Sequence, residues 1–248
     1  MSRNFSFSID EFYHLYNRGN DKRDIFLDYL DRERFLKLLY LCNGKNEFHI
    51  QKILDEELFY FNRGESIVDI GAYCLMDNHY HLLVKEKMEN GISLFMQRLS
   101  TAYSMYFNKK HDRTGALFAG RFKAKHLDDD DYLKYIFAYI HLNPIKIVDD
   151  FSWKSGIVND LEKIKKHLSD YRYSSYQDYL EINRAETRIL NKESFPEYFD
   201  DVEDFKNYLD DWINYRREEL VEVEPRPTKG HSINSRGSTS TRVLSLIR

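Results

Sequence analysis

Cysteine and long apolar segments are scarce in this sequence, and each scarcity excludes a class of protein. Cys42 and Cys74 are the only cysteines among 248 residues, too few for a disulfide framework and without the CxxC spacing of a zinc motif. No run of about 18 apolar residues occurs, which excludes a transmembrane helix. The first ten residues lack the apolar centre of a signal peptide. We therefore expect a cytoplasmic protein with reduced thiols and no membrane partner.

Two further absences narrow the choice of ligand. A GxxxxGK[ST] phosphate loop is missing, so we expect no nucleotide cofactor. An overall positive charge is missing too, since the formal net charge is −4. The charge is nevertheless uneven, because residues 98–126 hold seven basic residues against one acid. A local patch of this kind binds phosphate groups whatever the total charge, and the alternative interpretation is a solvated helix face and loop.

The spacing of apolar residues predicts a regular alternation of helices and strands. Helical spacing predicts helices at 31–41, 48–61, 93–107 and 128–143. Alternation predicts strands at 13–17, 67–75, 79–84 and 122–127. The helix at 48–61 lies in an insertion of about residues 44–64. Without it, the order predicts an α+β protein with a ferredoxin-like (split βαβ) core, an antiparallel sheet and helices on one face.

The chain changes character after the core, which we assign to residues 1–149. Residues 150–224 hold 11 basic against 19 acidic residues, and we predict a helical C-terminal extension with helices at 161–168, 173–182 and 202–220. Residues 225–248 are rich in Ser, Thr and Arg and have no periodicity that could bury a face. We predict that this tail is disordered.

A histidine pair is the first motif with chemical potential. His79 and His81 lie two residues apart on a predicted strand, so both imidazoles project from one side of it. Two imidazoles on a rigid strand make half of a metal site. The alternative is a pair of ordinary histidines near a hairpin turn.

A tyrosine and an asparagine form the second motif. Tyr139 and Asn143 lie four residues apart on the last predicted helix of the core, and therefore on one face of it. The alternative is that Tyr139 is a core aromatic, since the chain has 19 tyrosines. Tyr132 and Tyr135 share the same helix, and helix geometry alone does not choose among the three.

The two motifs together resemble those of the single-tyrosine HUH transposases, and most of all the REP-associated tyrosine transposases. The residues that carry the resemblance are Cys74-Leu-Met-Asp-Asn-His-Tyr-His-Leu-Leu-Val-Lys85 and Tyr139-Ile-His-Leu-Asn-Pro144. Supporting stretches are Tyr13-His-Leu-Tyr-Asn-Arg-Gly19, Gly120-Arg-Phe-Lys-Ala-Lys125 and Tyr173-Ser-Ser-Tyr176. The resemblance covers about residues 11–180. The helical insertion and the acidic extension depart from the family pattern.

The resemblance implies a metal-dependent reaction on single-stranded DNA. It assigns His79, His81 and Asn143 to a divalent metal ion, Mg²⁺ or Mn²⁺, and Tyr139 to the nucleophile. The implied reaction is strand cleavage and transfer through a covalent 5′-phosphotyrosine, without ATP, on hairpin-forming repeats. It also favours a monomer, in which Tyr139 serves the metal site of its own chain.

The basic patch would then track the phosphates of single-stranded or hairpin DNA. The candidate DNA-binding residues of the patch are Arg121, Lys123, Lys125, Arg113, Lys109 and Lys110. Arg18, in the turn after the first predicted strand, is a further candidate. Phe118 and Phe122 are candidates for stacking on unpaired bases. Two alternatives remain at this point. One is a domesticated hairpin-DNA-binding protein without cleavage activity, and the other is a metal-dependent hydrolase built on the histidine pair.

Overall fold

The computed structural model of the protein describes residues 6–148 and 161–215. The strands are β1 (Phe12–Arg18), β2 (Val68–Met76), β3 (His79–Glu86) and β4 (Lys123–His126). The α-helices are α1 (Tyr29–Leu41), α2 (Gly91–Lys110), α3 (Asp130–Leu142), α4 (Ile145–Val148), α5 (Leu161–Asp170), α6 (Tyr176–Tyr179) and α7 (Val202–Tyr215). Short 3₁₀ helices occupy Asn20–Lys22, Ile50–Lys52, Asp55–Tyr60, Ala185–Ile189 and Lys192–Ser194.

The four strands form one sheet in the order β2-β3-β1-β4, and each neighbouring pair is antiparallel. Helix α1 connects β1 to β2, and α2 connects β3 to β4, so each connection passes over one intervening strand. This is the split βαβ arrangement, and the predicted ferredoxin-like core is confirmed. The register pairs Arg18 with His79 and Tyr16 with His81.

Helices cover both faces of the sheet. On one face, Leu15, Tyr80 and Leu82 share an apolar cluster with buried residues of α1 and α2. On the other face, Cys74 and Leu83 share a second cluster with α3, α5 and α7. The expectation of helices on one face therefore describes α1 and α2 only. A sheet with apolar side chains on both faces needs cover on both, and α3 together with the C-terminal extension provides the second layer.

Helix α3 has clear signals at both ends. It starts after Asp129, whose carboxylate accepts a hydrogen bond from the Tyr132 N–H at 3.0 Å. Two more aspartates in the first turn favour the positive end of the helix dipole. The helix ends at Leu142, although Asn143 keeps helical dihedral angles. Pro144 stops the hydrogen-bond ladder, because it has no backbone N–H to donate to the carbonyl oxygen four residues earlier.

The predicted α-helix at 48–61 is wrong. This segment instead forms the two 3₁₀ turns Ile50–Lys52 and Asp55–Tyr60. The ends of the insertion lie side by side, since the Asn46 N–H donates to the Arg63 carbonyl oxygen at 2.9 Å. A continuous helix of this length would extend about 21 Å in one direction, whereas the chain must turn back between these paired ends.

The predicted helix at 173–182 is also mostly wrong, because only Tyr176–Tyr179 is α-helical. The residues before it run along the edge of β2. The Leu75 N–H donates to the Tyr173 carbonyl oxygen, and the Ser175 N–H donates to a β2 carbonyl oxygen, both at 2.9 Å. A sheet edge leaves backbone groups without partners, and satisfying them prevails over the local helical pattern.

The rest of the extension agrees with the sequence where it is described. Helix α7 starts at the predicted residue Val202, and α5 covers the predicted helix at 161–168. The predicted continuation of α7 to residue 220 and the predicted disordered tail at 225–248 lie outside the described residues. Within the described ranges, no helix has the length and apolar character needed to span a membrane.

Candidate metal and nucleophile site

Strand β3 presents two imidazoles on the same side of the sheet. The ring centroids of His79 and His81 lie 5.0 Å apart. His81 is buried, and His79 is partly buried. The alternation of side chains along the strand brings both rings to the face that α3 covers. The pair thus supplies nitrogen atoms from one rigid element.

His14 of β1 orients His81. The His14 Nε2 and His81 Nδ1 atoms lie 2.9 Å apart, and the two rings stack with centroids 5.0 Å apart. The His81 Nε2 atom is buried and has no hydrogen-bond partner among the described residues. When the His81 Nδ1–H donates to His14, the Nε2 lone pair faces the site. Sequence reasoning gave His14 no role, because the pairing of β1 with β3 is needed to see it.

Burial keeps these three imidazoles uncharged at neutral pH. It lowers the pKa of His14 to about 3. Burial, followed by the charges of Lys146 and Arg18, lowers the pKa of His79 to about 4. Burial, followed by the two other histidines, lowers the pKa of His81 well below its usual value. The neutral imidazole is the form that binds metal ions.

Asn143 is the first residue after α3 and is 2% exposed. Neither its Oδ1 nor its Nδ2 atom has a hydrogen-bond partner in the described parts of the chain. Its amide lies close enough to His79 to raise the pKa of that imidazole, but not in hydrogen-bonding geometry, and the effect of burial is larger. A buried polar group without a partner costs about 1–3 kcal/mol. A ligand that binds the amide oxygen would offset that cost.

The donor atoms fit a divalent metal ion. The His79 Nδ1 atom lies 2.6 Å from the Asn78 Oδ1 atom, so an Nδ1–H that donates there leaves the His79 Nε2 lone pair available. Two imidazole nitrogens and the Asn143 amide oxygen suit Mn²⁺ and tolerate Mg²⁺. The described residues contain no group of three His, Cys, Asp or Glu residues that could hold a metal ion.

Tyr139 projects from α3 towards the same place. Its ring centroid lies 5.2 Å from that of His81 and 6.1 Å from that of His14, both edge to face. Tyr135, one turn earlier, packs against Trp212 of α7 with centroids 5.4 Å apart. Tyr139 thus contacts the histidines, while Tyr135 contacts the C-terminal extension. The fold thus distinguishes Tyr139 from Tyr135, two of the three tyrosines that helix geometry alone left equivalent.

Three of the candidate DNA-binding residues lie on the same face as the site. Arg18 is the cross-strand neighbour of His79. Lys123 lies opposite Tyr16, with its ammonium 5.8 Å from the Tyr16 ring centroid. Lys125 follows two residues later on β4 and therefore points to the same face. These three cations come from the two adjacent strands β1 and β4.

The other basic candidates lie elsewhere. Lys109 and Lys110 lie at the C-terminal end of α2, the helix that covers the opposite face of the sheet, and Arg113 follows three residues after that end. The Lys110 ammonium forms ion pairs with two aspartates at the start of α1, at 2.7 and 2.8 Å. Arg121 is exposed in the loop that returns from α2 to β4. The predicted basic patch is therefore divided between two regions.

One of the two proposed stacking residues is wrong. Phe118 is 7% exposed and belongs to the core, where its ring contacts Tyr80 with centroids 6.0 Å apart. A buried ring offers no face to a base. Phe122 is partly buried and stacks on Phe7, with centroids 6.3 Å apart.

Sequence reasoning also passed over Lys146. Its ammonium lies 5.3 Å from the centroid of the Tyr139 ring. Lys146 and His79 line the same cleft of about 270 Å³, together with Asp24, Met76, Asp77, Asn78 and Ile147. The sequence contained one usable signal, since Lys146 follows directly on the Tyr139–Pro144 motif.

The chain is similar to a known protein family and to a solved structure. The profile of the family described as "Transposase IS200 like" matches residues 12–143, which include β1 to α3 and Asn143. A solved structure of a REP-associated tyrosine transposase bound to a REP hairpin is similar, at 12% identity and a TM-score of 0.45, over 75% of this chain and 90% of that chain. A search of curated proteins found no significant match.

Proposed function

The chain belongs to the IS200-like transposase family, and on that premise we propose that it cleaves single-stranded DNA and transfers the cut strand through a covalent 5′-phosphotyrosine on Tyr139. One observation carries the proposal. The centroids of the Tyr139 and His81 rings lie 5.2 Å apart. His81 and the neighbouring Asn143 both have buried polar atoms without hydrogen-bond partners in the described chain. A phenol that can act as nucleophile therefore lies beside atoms that can bind a metal ion.

His79, His81 and Asn143 would hold the metal ion, Mg²⁺ or Mn²⁺. When bound there, such an ion would polarise the scissile phosphate and offset the charge that develops on its oxygens. Within the protein, His14 holds His81 in the required orientation through the 2.9 Å contact between their rings. Neutral imidazoles, kept so by burial, leave their nitrogen lone pairs free at neutral pH.

Tyr139 performs the covalent step. Its phenolic oxygen forms a bond to phosphorus, its proton passes to solvent, and the bond from phosphorus to the 3′ oxygen breaks. The departing 3′ oxygen takes a proton and becomes a free hydroxyl. The phosphodiester is exchanged for a phosphotyrosyl ester, so a 3′-hydroxyl of another strand can reverse the step without ATP.

Hairpin-forming repeat DNA is the proposed substrate, following the motif resemblance to REP-associated tyrosine transposases. Arg18, Lys123 and Lys125 would bind its phosphates beside the site, because their charges lie on the face that carries the histidines. Lys109, Lys110, Arg113 and Arg121 would contact more distant phosphates, with Lys110 contributing least since two aspartates already neutralise it.

The proposal places the reaction in the cytoplasm and in a monomer. Tyr139 and His81 of one chain are already in contact, so no second copy is needed to complete the site. Residues 1–149 would form the catalytic domain, 150–224 a supporting extension and 225–248 a tail.

The deciding experiment is incubation of the protein with labelled single-stranded hairpin DNA and Mn²⁺. We expect a protein–DNA adduct that survives denaturation, and we expect Tyr139→Phe to abolish it. Tyr135→Phe is the matched control, since this tyrosine lies one turn earlier and packs against Trp212, and it should keep the adduct.

Other results would contradict the proposal. An adduct that persists in Tyr139→Phe would exclude Tyr139 as the nucleophile. Release of a 5′-phosphate without any adduct would favour the metal-dependent hydrolase. Hairpin binding with neither product would favour the domesticated DNA-binding protein.

A further inference from the structure

Lys146 brings a positive charge to the place where Tyr139 and His79 meet. Its ammonium lies 5.3 Å from the Tyr139 ring centroid, and it lines the cleft of about 270 Å³ beside His79. Its charge also contributes to lowering the pKa of both His79 and His81. Lys146 is therefore close to Tyr139, His79 and His81, although it lies two residues beyond the Tyr139–Pro144 motif.

The backbone explains how a residue seven positions after Tyr139 returns to it. Helix α3 ends at Leu142, and the chain turns at Asn143 and Pro144. The Lys146 N–H then donates to the Asn143 carbonyl oxygen at 3.2 Å. This turn places Lys146 over the last part of α3, so that nucleophile, amide ligand and cation come from one short segment.

Lys146 has no carboxylate partner among the described residues. Two other lysines of the chain provide the contrast, because Lys110 pairs with aspartates of α1 and Lys134 pairs with Asp130 at 2.8 Å. Asp24 and Asp77 line the same cleft, but neither forms an ion pair with Lys146, and Asp77 pairs with Arg32. An ammonium without a carboxylate partner remains able to bind an anion through a charge-assisted hydrogen bond. The geometry therefore leaves a place for an anionic ligand.

We propose that Lys146 binds the phosphate group that Tyr139 attacks, from the side of the cleft next to His79. This inference rests on the proposed function for its choice of phosphate. The ammonium is a compact charge on a flexible stem, suited to a single phosphate oxygen. Bound there, it positions the phosphate against Tyr139 and remains to offset charge as the phosphorus gains its fifth oxygen.

The experiment measures coupling between this lysine and individual phosphates. The protein carries Tyr139→Phe and is kept in chelator, so that neither cleavage nor a metal ion contributes. The probe is a hairpin oligonucleotide selected for binding from a library with randomised single-stranded flanks. Each flanking phosphate is replaced in turn by an uncharged methylphosphonate, and Kd is measured by fluorescence anisotropy.

We expect one position at which removing the phosphate charge weakens binding roughly tenfold, as for a close charge pair. In Lys146→Ala the same replacement should change Kd less than about twofold. Lys146→Arg should restore the sensitivity. Lys134→Ala is the matched control, because Lys134 also lies over a tyrosine ring, at 5.0 Å from Tyr198, yet is ion-paired. It should retain the tenfold effect.

The outcomes separate this inference from the proposed function. Active protein with Mn²⁺ identifies the phosphate that becomes linked to Tyr139. Coupling of Lys146 to that phosphate supports the inference. Coupling at no position, or only at a different phosphate, overturns it while leaving the adduct, and thus the proposed function, intact. Coupling at one phosphate without any adduct would overturn the proposed function and the choice of phosphate, and would leave Lys146 as a DNA-binding residue.

Discussion

At the scale of single residues, the site is defined by polar atoms that the described chain leaves without partners. His81 Nε2 and both polar atoms of Asn143 are buried in this condition. Folding normally satisfies such groups, so their grouping next to Tyr139 calls for a ligand. His14 differs from them because it acts through another side chain: it contacts His81 Nδ1 and leaves Nε2 free.

Replacing His14 should weaken metal binding without removing a ligand. We expect His14→Ala to raise the Kd for Mn²⁺ by roughly 10–100-fold, the usual effect of losing a residue that orients a metal-bound histidine. Titration calorimetry of the protein without DNA measures this directly.

A conservative variant separates orientation from packing in that experiment. His14→Asn keeps a side-chain oxygen that can accept the His81 Nδ1–H, and should bind Mn²⁺ more tightly than His14→Ala does. Equal affinity in the unsubstituted protein and in both variants would mean that His14 does not orient the ligand.

At the scale of elements, α3 both carries Tyr139 and packs against the sheet and the C-terminal extension. Asp129 caps its first turn, and its last turns carry Tyr139 and His141. His141 is buried, with Nδ1 at 2.9 Å from the Phe137 carbonyl oxygen and Nε2 at 2.8 Å from Ser175 Oγ. This histidine therefore joins α3 to the segment that follows the β2 edge.

The buried His141 should make stability depend on pH. Burial lowers its pKa to about 3 in the folded protein, below the value of about 6.5 in the unfolded chain. As pH falls below 6.5 the unfolded state takes up the proton first, so the contribution of His141 is present above that pH and is lost towards pH 3. Each such group adds about 1.4 kcal/mol per pH unit to the slope of the unfolding free energy.

Urea unfolding at a series of pH values between 6 and 4.5 measures this slope. In His141→Gln the slope should fall by about 1.4 kcal/mol per pH unit, one proton's contribution. His49→Gln is the control, because His49 is exposed on the insertion, and it should keep the original slope. An unchanged slope in His141→Gln would show that this residue takes up its proton equally in both states.

At the scale of the whole molecule, the sheet is closed by two helical layers of different origin. The α1–α2 layer belongs to the split βαβ core, whereas the opposite layer combines α3 with α5 and α7. Phe205 of α7 is 1% exposed, and its ring lies 5.5 Å from that of His141 and 6.1 Å from that of Phe137. The extension thus supports the helix that carries Tyr139.

Truncating Phe205 should destabilise the protein through this layer. We expect Phe205→Ala to lower the unfolding free energy by about 3–5 kcal/mol, because a large buried ring leaves a cavity. Denaturant unfolding followed by circular dichroism is the measurement. Phe205→Leu should cost less, since it fills more of the space. A loss below about 1 kcal/mol for Phe205→Ala would show that the extension does not support the core in this way.

Local sequence signals determined the main strands and helices of the core and the placement of the histidine pair. The period of two places His79 and His81 together on β3. Pro144 ends α3, whose last residue is Leu142, and the order of elements predicts the split βαβ core. The structure contains all of these features. These features follow from neighbours within a few residues, where backbone geometry alone sets the outcome.

Tertiary structure decided the rest. The contact of His14 with His81 spans 67 residues, and it depends on a strand register that no local pattern contains. The same holds for the packing that separates Tyr139 from Tyr135, for the division of the basic patch between two faces, and for the edge pairing that replaces the helix predicted at 173–182. Each depends on which distant groups fill a shared space or satisfy a shared hydrogen bond, and that is settled only when the whole chain packs.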